Sequence, residues 1–319
     1  MLKCFAVLLC VVLSSGCFTR SARQNDSAFK EYTLHADQIW QMNLPQGDRF
    51  DASGLFLEKS GDLLTESDQQ IGVYRIEFVP NHNFVLLHRI PDCFTPQQLA
   101  PFDAAKHGRY DCEGVTEDDQ GRIYLCEEGD RLILRWDPVT KKVERLNIDW
   151  RPVEKYFSTD RNAAWEGIAV HGQTLYVANE RKKGRIIAVD LNALKVIDSF
   201  AVPASWSWWF WDAHYSDLCW FDGALFALMR EDHVILKLDP ATHRVLAEYN
   251  FNEMEHEPDV DYRKDFLPVG ARGLVGVMEG LAVDKNYFWL CTDNNGQSRK
   301  LHPEDTRPTL FKCRRPDAF

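Results

Sequence analysis

A chain of 319 residues with 45% hydrophobic and 27% charged side chains can bury a sizeable core, which sets it apart from fibrous and disordered chains. Its formal net charge of −11 argues against a nucleic-acid partner, because binding a phosphate backbone needs clustered lysine and arginine.

The chain opens on MLKCFAVLLCVVLSSGC, in which Lys3 precedes a short apolar run from Phe5 to Leu13 and then small residues. That run is too short to span a bilayer, which takes about 20 apolar residues. Residues 1–16 therefore read as a signal peptide. The stretch LSSGC resembles a bacterial lipobox, with Cys17 as the lipidated first residue and Ser14 where leucine is commoner. Plain secretion with cleavage nearby is the alternative. Phe18, where an aspartate would retain a lipoprotein at the inner membrane, points to the outer membrane, facing the periplasm. Residues 17–50 are expected to hold the lipidated N-terminus, a linker and, at IWQMNL (39–44), a strand that pairs into the last repeat. Residues 51–319 form the folded domain.

Within that domain five segments are alike. They start at Ser53, Glu113, Glu166, Asp217 and Glu279, 51 to 62 residues apart. Each reads strand, tight polar turn, strand, polar corner, strand. Ser60-Gly61, Gln120-Gly121, His171-Gly172 and Asp222-Gly223 supply hairpin turns. A fourth strand follows in most units, as in KVERLNI, KVIDSF and RVLAEYNF. Four-stranded units at this period predict an all-β, five-bladed β-propeller, with six blades as the alternative. Short helices are expected within 95–108 and 151–162, between blades.

In a propeller the first strand of each blade lines the axis, and the head of one strand lies beside the end of the next. Glu113 is then expected near Cys126 to Glu128, Glu166 near Asn179 and Glu180, Asp217 near Arg230 to Asp232, Glu279 near Asp293 and Asn294, and Ser53 near Glu66. These groups should meet at one axial opening, with Arg181 and Arg230 at its rim. The glycine after three of the glutamates allows close backbone approach. Converging carboxylates raise one another's pKa or invite a cation. A nearly all-oxygen ligand set from Glu113, Glu166, Asp217 and Glu279 suits calcium rather than zinc. The plain alternative is that these acids cap strand ends by accepting backbone N–H bonds.

The runs YDCEGVT…CEEGDRLILRWD, WEGIAV…LYVANER, YSDLCW and MEGLAVD resemble the SdiA-regulated lipoprotein group and the neighbouring "esterase-like activity of phytase" domain, from about Ser53 to His302. The resemblance implies a five-bladed propeller, a bound calcium, a cell-envelope location and a hydrolytic role. Two blades depart from the pattern. Ser53 stands where others have glutamate, and in YSDL either Ser216 or Asp217 could be the matching residue.

Further features remain open. SWSWWFWDAHYSDL (205–218) gathers four tryptophans and a phenylalanine within six residues, either as packing or as an aromatic lip over the opening. His214, beside Asp212 and Asp217, is a candidate general base or a structural histidine. The acidic stretch 251–265 lacks EF-hand spacing and reads as a solvated loop. Cys93, Cys112, Cys126, Cys219, Cys291 and Cys313 permit disulfides in an oxidising compartment, Cys112 with Cys126 or Cys93 with Cys313, or stay as buried thiols. No GxSxG elbow, HExxH helix or P-loop is present. The expected function is an envelope lipoprotein whose axial calcium site hydrolyses phosphate or carboxylic esters, with Glu113, Glu166 or His214 positioning water. The alternative is a non-catalytic propeller that binds a small molecule or protein and in which calcium is structural.

Overall fold

The computed structural model describes residues 30–102, 111–161, 163–181, 183–202, 204, 213–263 and 276–318. The signal segment, Cys17, Asp212 and most of the aromatic run (205–212) lie outside the described residues. The described residues begin with β1 (Lys30–Thr33) and β2 (Ala36–Asn43). Four-stranded units follow: β3 (Ala52–Leu57) to β6 (Phe84–Arg89) through β4 (Leu63–Ser67) and β5 (Tyr74–Phe78), then β7 (Cys112–Glu117), β8 (Ile123–Glu127), β9 (Leu132–Asp137) and β10 (Lys142–Arg145). The third unit is β11 (Trp165–His171), β12 (Thr174–Asn179), β13 (Arg185–Asp190) and β14 (Lys195–Phe200); the fourth is β15 (Asp217–Phe221), β16 (Ala224–Met229), β17 (Val234–Asp239) and β18 (Arg244–Asn250). The last is β19 (Met278–Val283), β20 (Tyr287–Thr292) and β21 (Thr309–Arg314).

Each unit is an antiparallel meander, and β2 completes the last one by pairing antiparallel with β21, Trp40 opposite Leu310. The expected ring-closing strand is therefore present. β2 also runs parallel to β6, and β1 adds a fifth, parallel strand to β18. The inner strands meet in the order β3, β7, β11, β15, β19 and back to β3.

Five apolar clusters lie between the blades, one at each boundary. The twofold period of a strand explains them. In β12, Leu175 and Val177 face the second blade, while Tyr176 and Ala178 face the fourth. In β16, Ala224, Phe226 and Leu228 pack toward the fifth blade, and Leu225, Ala227 and Met229 toward the third. Strands buried on both faces read as continuous apolar runs, as ALFALM does. Among the described residues there are five such boundaries.

Short helices stand within both expected spans: α1 (Pro96–Leu99), capped by Thr95 and Gln98 and running into a 3-10 turn at 100–102, and a 3-10 turn at Glu154–Tyr156. Two expectations need correction. The described part of the acidic stretch, 251–263, is not simply solvated: α2 (Asn252–Glu255) ends on Glu255, which is buried and accepts the Val277 N–H at 2.5 Å. All six cysteines outside the leader are free thiols. Cys93 lies in the cluster between blades one and two, whereas Cys313 lies between blades four and five, so they are not neighbours. Cys112 stands opposite Glu127 and Cys126 opposite Gly114, and the Cys126 thiol contacts the Glu166 carbonyl at 3.1 Å.

Candidate functional site

The repeated Glu-Gly pair sits on a β-bulge. Pairing skips Ser53 between Ala52 and Gly54, Glu113 between Cys112 and Gly114, Glu166-Gly167 between Trp165 and Ile168, and Glu279 between Met278 and Gly280. A bulged residue leaves the ladder and its side chain is re-aimed. Here the re-aimed side chains are acids at the head of the axial strands. The glycines answer a second need. A Cβ on Gly167 would fall 2.3 Å from the Asp217 Cα, one on Gly114 3.1 Å from the Gly167 Cα, one on Gly54 3.0 Å from the Gly114 Cα, and one on Gly280 2.9 Å from the Gly54 carbonyl carbon. The five inner strands touch at these positions, and in blade four the touching residue is Asp217.

That comparison aligns Ser216 with the glutamates and Asp217 with the glycines. The Asp217 carboxylate accepts the backbone N–H of Leu281 at 2.7 Å, of Leu218 at 2.7 Å and of Leu55 at 3.4 Å. It therefore joins blade four to blades five and one through backbone amides, in the strand-capping manner. Burial raises its pKa, and these three donors oppose the rise.

At the same end of the ring lies a polar pocket of about 450 Å³, lined by Asp68, Asp111, Glu113, Glu128, Glu166, Glu279 and Asp293 together with Arg49, Arg181 and Arg230, Gln69 and Asn295. Ligand oxygens of Asp111, Glu113 and Glu128 lie within 4.8 Å of one another, as do those of Glu128, Glu166 and Glu180. Glu128 belongs to both groups and also accepts the Ala164 N–H at 3.1 Å.

Burial and mutual repulsion raise these acids. Glu113 is pushed up by burial, Glu166 and Glu128, and Glu128 to about 9 by burial and Glu166. Asp293 rises to about 8 through burial, Asp51 and Asp68. Burial lifts Glu166 only to about 7, because Arg230 and Arg181 favour its anion. Below the ring of acids stands Glu66, opposite Gly54 and fully buried, with neither carboxylate oxygen hydrogen-bonded; burial and Asp68 raise it strongly.

One side of the pocket is ion-paired. Arg230 reaches Glu279, Glu180 at 3.1 Å and Glu231 at 3.3 Å. Arg181 also pairs with Glu180. His214, only 6% exposed, is held between Glu180 and Glu231, with Nδ1 2.5 Å from Glu231. Burial and the Arg230 charge push the imidazole down to about 4. The structure thus brings His214 to Glu180 and Glu231 rather than to Asp217, as a group that orients the acids behind the pocket.

Of the sequence-predicted residues, Glu113, Glu128, Glu166, Arg181, Arg230, Glu279 and Asp293 line the pocket, and Glu180 joins its acid cluster. Asn179 does not line it: it is fully buried in the corner and donates to the Lys183 carbonyl at 3.4 Å. Asp111, Asp68 and Arg49 are additional. Asp111 precedes the Glu113 bulge by two residues, so its neighbour was a visible signal. Arg49 falls in the segment read as a linker and carries no repeated signal.

The sequence profile of the phytase-like family, described as esterase-like activity of phytase, matches residues 51–296, the span that holds all five axial strands. The chain belongs to that family. Among solved structures, glutaminyl cyclase from Myxococcus xanthus is similar at 13% identity and a TM-score of 0.56, covering 89% of this chain and 97% of that one. Virginiamycin B lyase from Staphylococcus aureus is similar at 11% identity and a TM-score of 0.45, covering 87% and 99%. At these identities the cyclase bears on the fold alone. No curated protein matches the chain. Within this phytase-like domain the carboxylates present fit a hard cation: the donors are oxygen, they converge, and Glu66, Glu180 and Glu279 each keep at least one buried oxygen without a hydrogen bond.

Proposed function

We propose that this phytase-like propeller is a calcium-dependent hydrolase of anionic esters, phosphate esters first. The observation that carries the reading is the pair of overlapping carboxylate groups, Asp111–Glu113–Glu128 and Glu128–Glu166–Glu180, in a pocket that also presents arginines. Glu113, Glu128 and Glu166 would hold the ion, with Asp111 and Glu279 as further oxygens. When bound, calcium would supply a Lewis acid for an ester oxygen. The chain's own groups account for the rest. Arg181 and Arg49 at the opening supply positive charge for an anionic ester. Glu166, whose anion Arg230 and Arg181 favour, would position a water beside the ion. His214 fixes Glu180, and so the Arg181 guanidinium paired with it.

A second reading, a non-catalytic binder in which the ion pins the blades, draws on the Arg230–Glu279 and Arg230–Glu180 pairs, which already neutralise part of the ring. Glu166→Gln separates the two. Calorimetric calcium titration and turnover of a nitrophenyl phosphate and a nitrophenyl acetate are compared with the parent, with circular dichroism as a fold control. The hydrolase reading expects turnover in the parent that calcium supports, and a loss of at least about tenfold in both calcium affinity and turnover in the variant. Calcium binding without turnover in the parent leaves the binder. Parent-like affinity in the variant removes Glu166 from the metal.

We further propose that the propeller is exported and tethered to the cell envelope through lipidated Cys17, on the strength of the Phe5–Leu13 run and LSSGC. Among the described residues no helix is long and apolar enough to cross a membrane.

A further inference from the structure

A second cluster of ligand type lies apart from the axial acids. His233 closes the corner between β16 and β17, in the left-handed region at φ 53°. Glu255 ends α2, and His256 follows it. One ligand atom from each of the three lies within 4.8 Å of the other two. His233 and Glu255 are buried, 8% and 3% exposed.

The hydrogen bonds fix what each group offers. His256 Nδ1 lies 2.9 Å from the Asn252 carbonyl, an acceptor only, so Nδ1 carries the proton. Nε2 is then left with its lone pair, and it is buried without a hydrogen-bond partner. A histidine whose Nδ1–H is anchored on a carbonyl and whose Nε2 is bare is the tautomer a metal selects. His233 Nδ1 lies 2.7 Å from Glu255 Oε2, and the other oxygen of Glu255 accepts the Val277 N–H. The imidazole rings stand at 70° with centroids 5.3 Å apart.

We propose that His233, Glu255 and His256 form a binding site for a borderline divalent transition metal of the zinc type. Two imidazoles and one carboxylate favour zinc over calcium, the reverse of the all-oxygen axial ring. The site ties two parts of the pocket together. His233 belongs to the corner that carries Arg230 and Glu231, and Glu255 holds Val277, two residues before Glu279. An ion there braces the arms that meet in the Arg230–Glu279 pair.

The test uses the full chain without an added histidine tag, stripped of metal and then saturated with calcium so that the axial acids are occupied. Zinc is titrated by calorimetry, and cobalt is followed by its visible spectrum. One equivalent of zinc should bind, with the cobalt spectrum showing nitrogen ligands. His256→Ala, a change at a partly exposed position, should weaken zinc at least about tenfold. His233→Gln should do the same, and Glu166→Gln should leave zinc affinity within about twofold. The proposal is overturned if the parent binds no stoichiometric zinc, if His256→Ala binds as the parent does, or if zinc is lost with Glu166→Gln instead, which would place the ion in the axial pocket.

Discussion

Arg230, in the corner of blade four, is ion-paired with Glu279, at the head of the axial strand of blade five. The same guanidinium reaches Glu180 of blade three and Glu231 beside it, so one cation serves carboxylates from three blades. Arg230→Met removes that charge and leaves buried acids uncompensated. It is expected to destabilise the metal-free protein by about 3 kcal/mol in urea unfolding. Added calcium should restore part of the loss by binding the released carboxylates. A variant as stable as the parent in chelator would mean that the pairs carry no net stability.

Stability in chelator should fall as pH rises. Glu128, Asp293 and Glu166 have folded-state pKa values of about 9, 8 and 7, above those of the unfolded chain. Between about pH 5 and 9 the folded protein therefore holds protons that the unfolded chain has released, so the slope of unfolding free energy against pH is negative. Saturating calcium keeps the acids ionised in the fold, as they are in the unfolded chain, and the slope should flatten toward zero. Thermal midpoints across that range, with chelator and with calcium, check this. Parallel curves would show that calcium does not displace these protons.

Asp217 separates capping from ligation. Asp217→Ala strips the acceptor from the Leu281, Leu218 and Leu55 amides and is expected to cost about 2 kcal/mol, with calcium affinity within about twofold of the parent. Glu113→Gln should show the opposite pattern, little change in the metal-free fold and weakened calcium. An Asp217→Asn protein with calcium affinity as low as that of Glu113→Gln would return Asp217 to the ligands.

Cys17→Ser should move the protein from the membrane fraction to the soluble fraction while the folded domain keeps its circular dichroism spectrum. Unchanged partition would assign the attachment to something other than lipid at Cys17.

The propeller was legible because each blade repeats the same physical requirements. Alternating apolar runs, Gly-containing hairpins and the Glu-Gly heads recur in register, and the structure places Glu113, Glu166 and Glu279 around one opening as that register requires. What the sequence left open was decided by contacts across blades. Ser216 and Asp217 could each match the glutamate position, and only the approach of Gly167 to the Asp217 backbone separates them. His214 was read with its neighbours in the chain, yet its partners are Glu180 and Glu231, brought in from two corners. Glu66 was legible as a neighbour of Ser53. Its burial, with both oxygens unpaired, depends on the blades beside it and is absent from any local pattern.

Ring closure by β2 against β21 also governs how the molecule can be made. The two strands come from distant parts of the sequence, Ala36 opposite Cys313, so the last blade has no fourth strand until nearly the whole chain is available. Contacts of such long separation form late and slowly. Until they form, β21 presents an unpaired edge beside the apolar faces of Leu290 and Phe311. A chain cut short before Thr309 leaves Met42 and Ile39 without their seat. Synthesis therefore yields a finished ring or a product with an open flank, and protein quality control is expected to remove the open form.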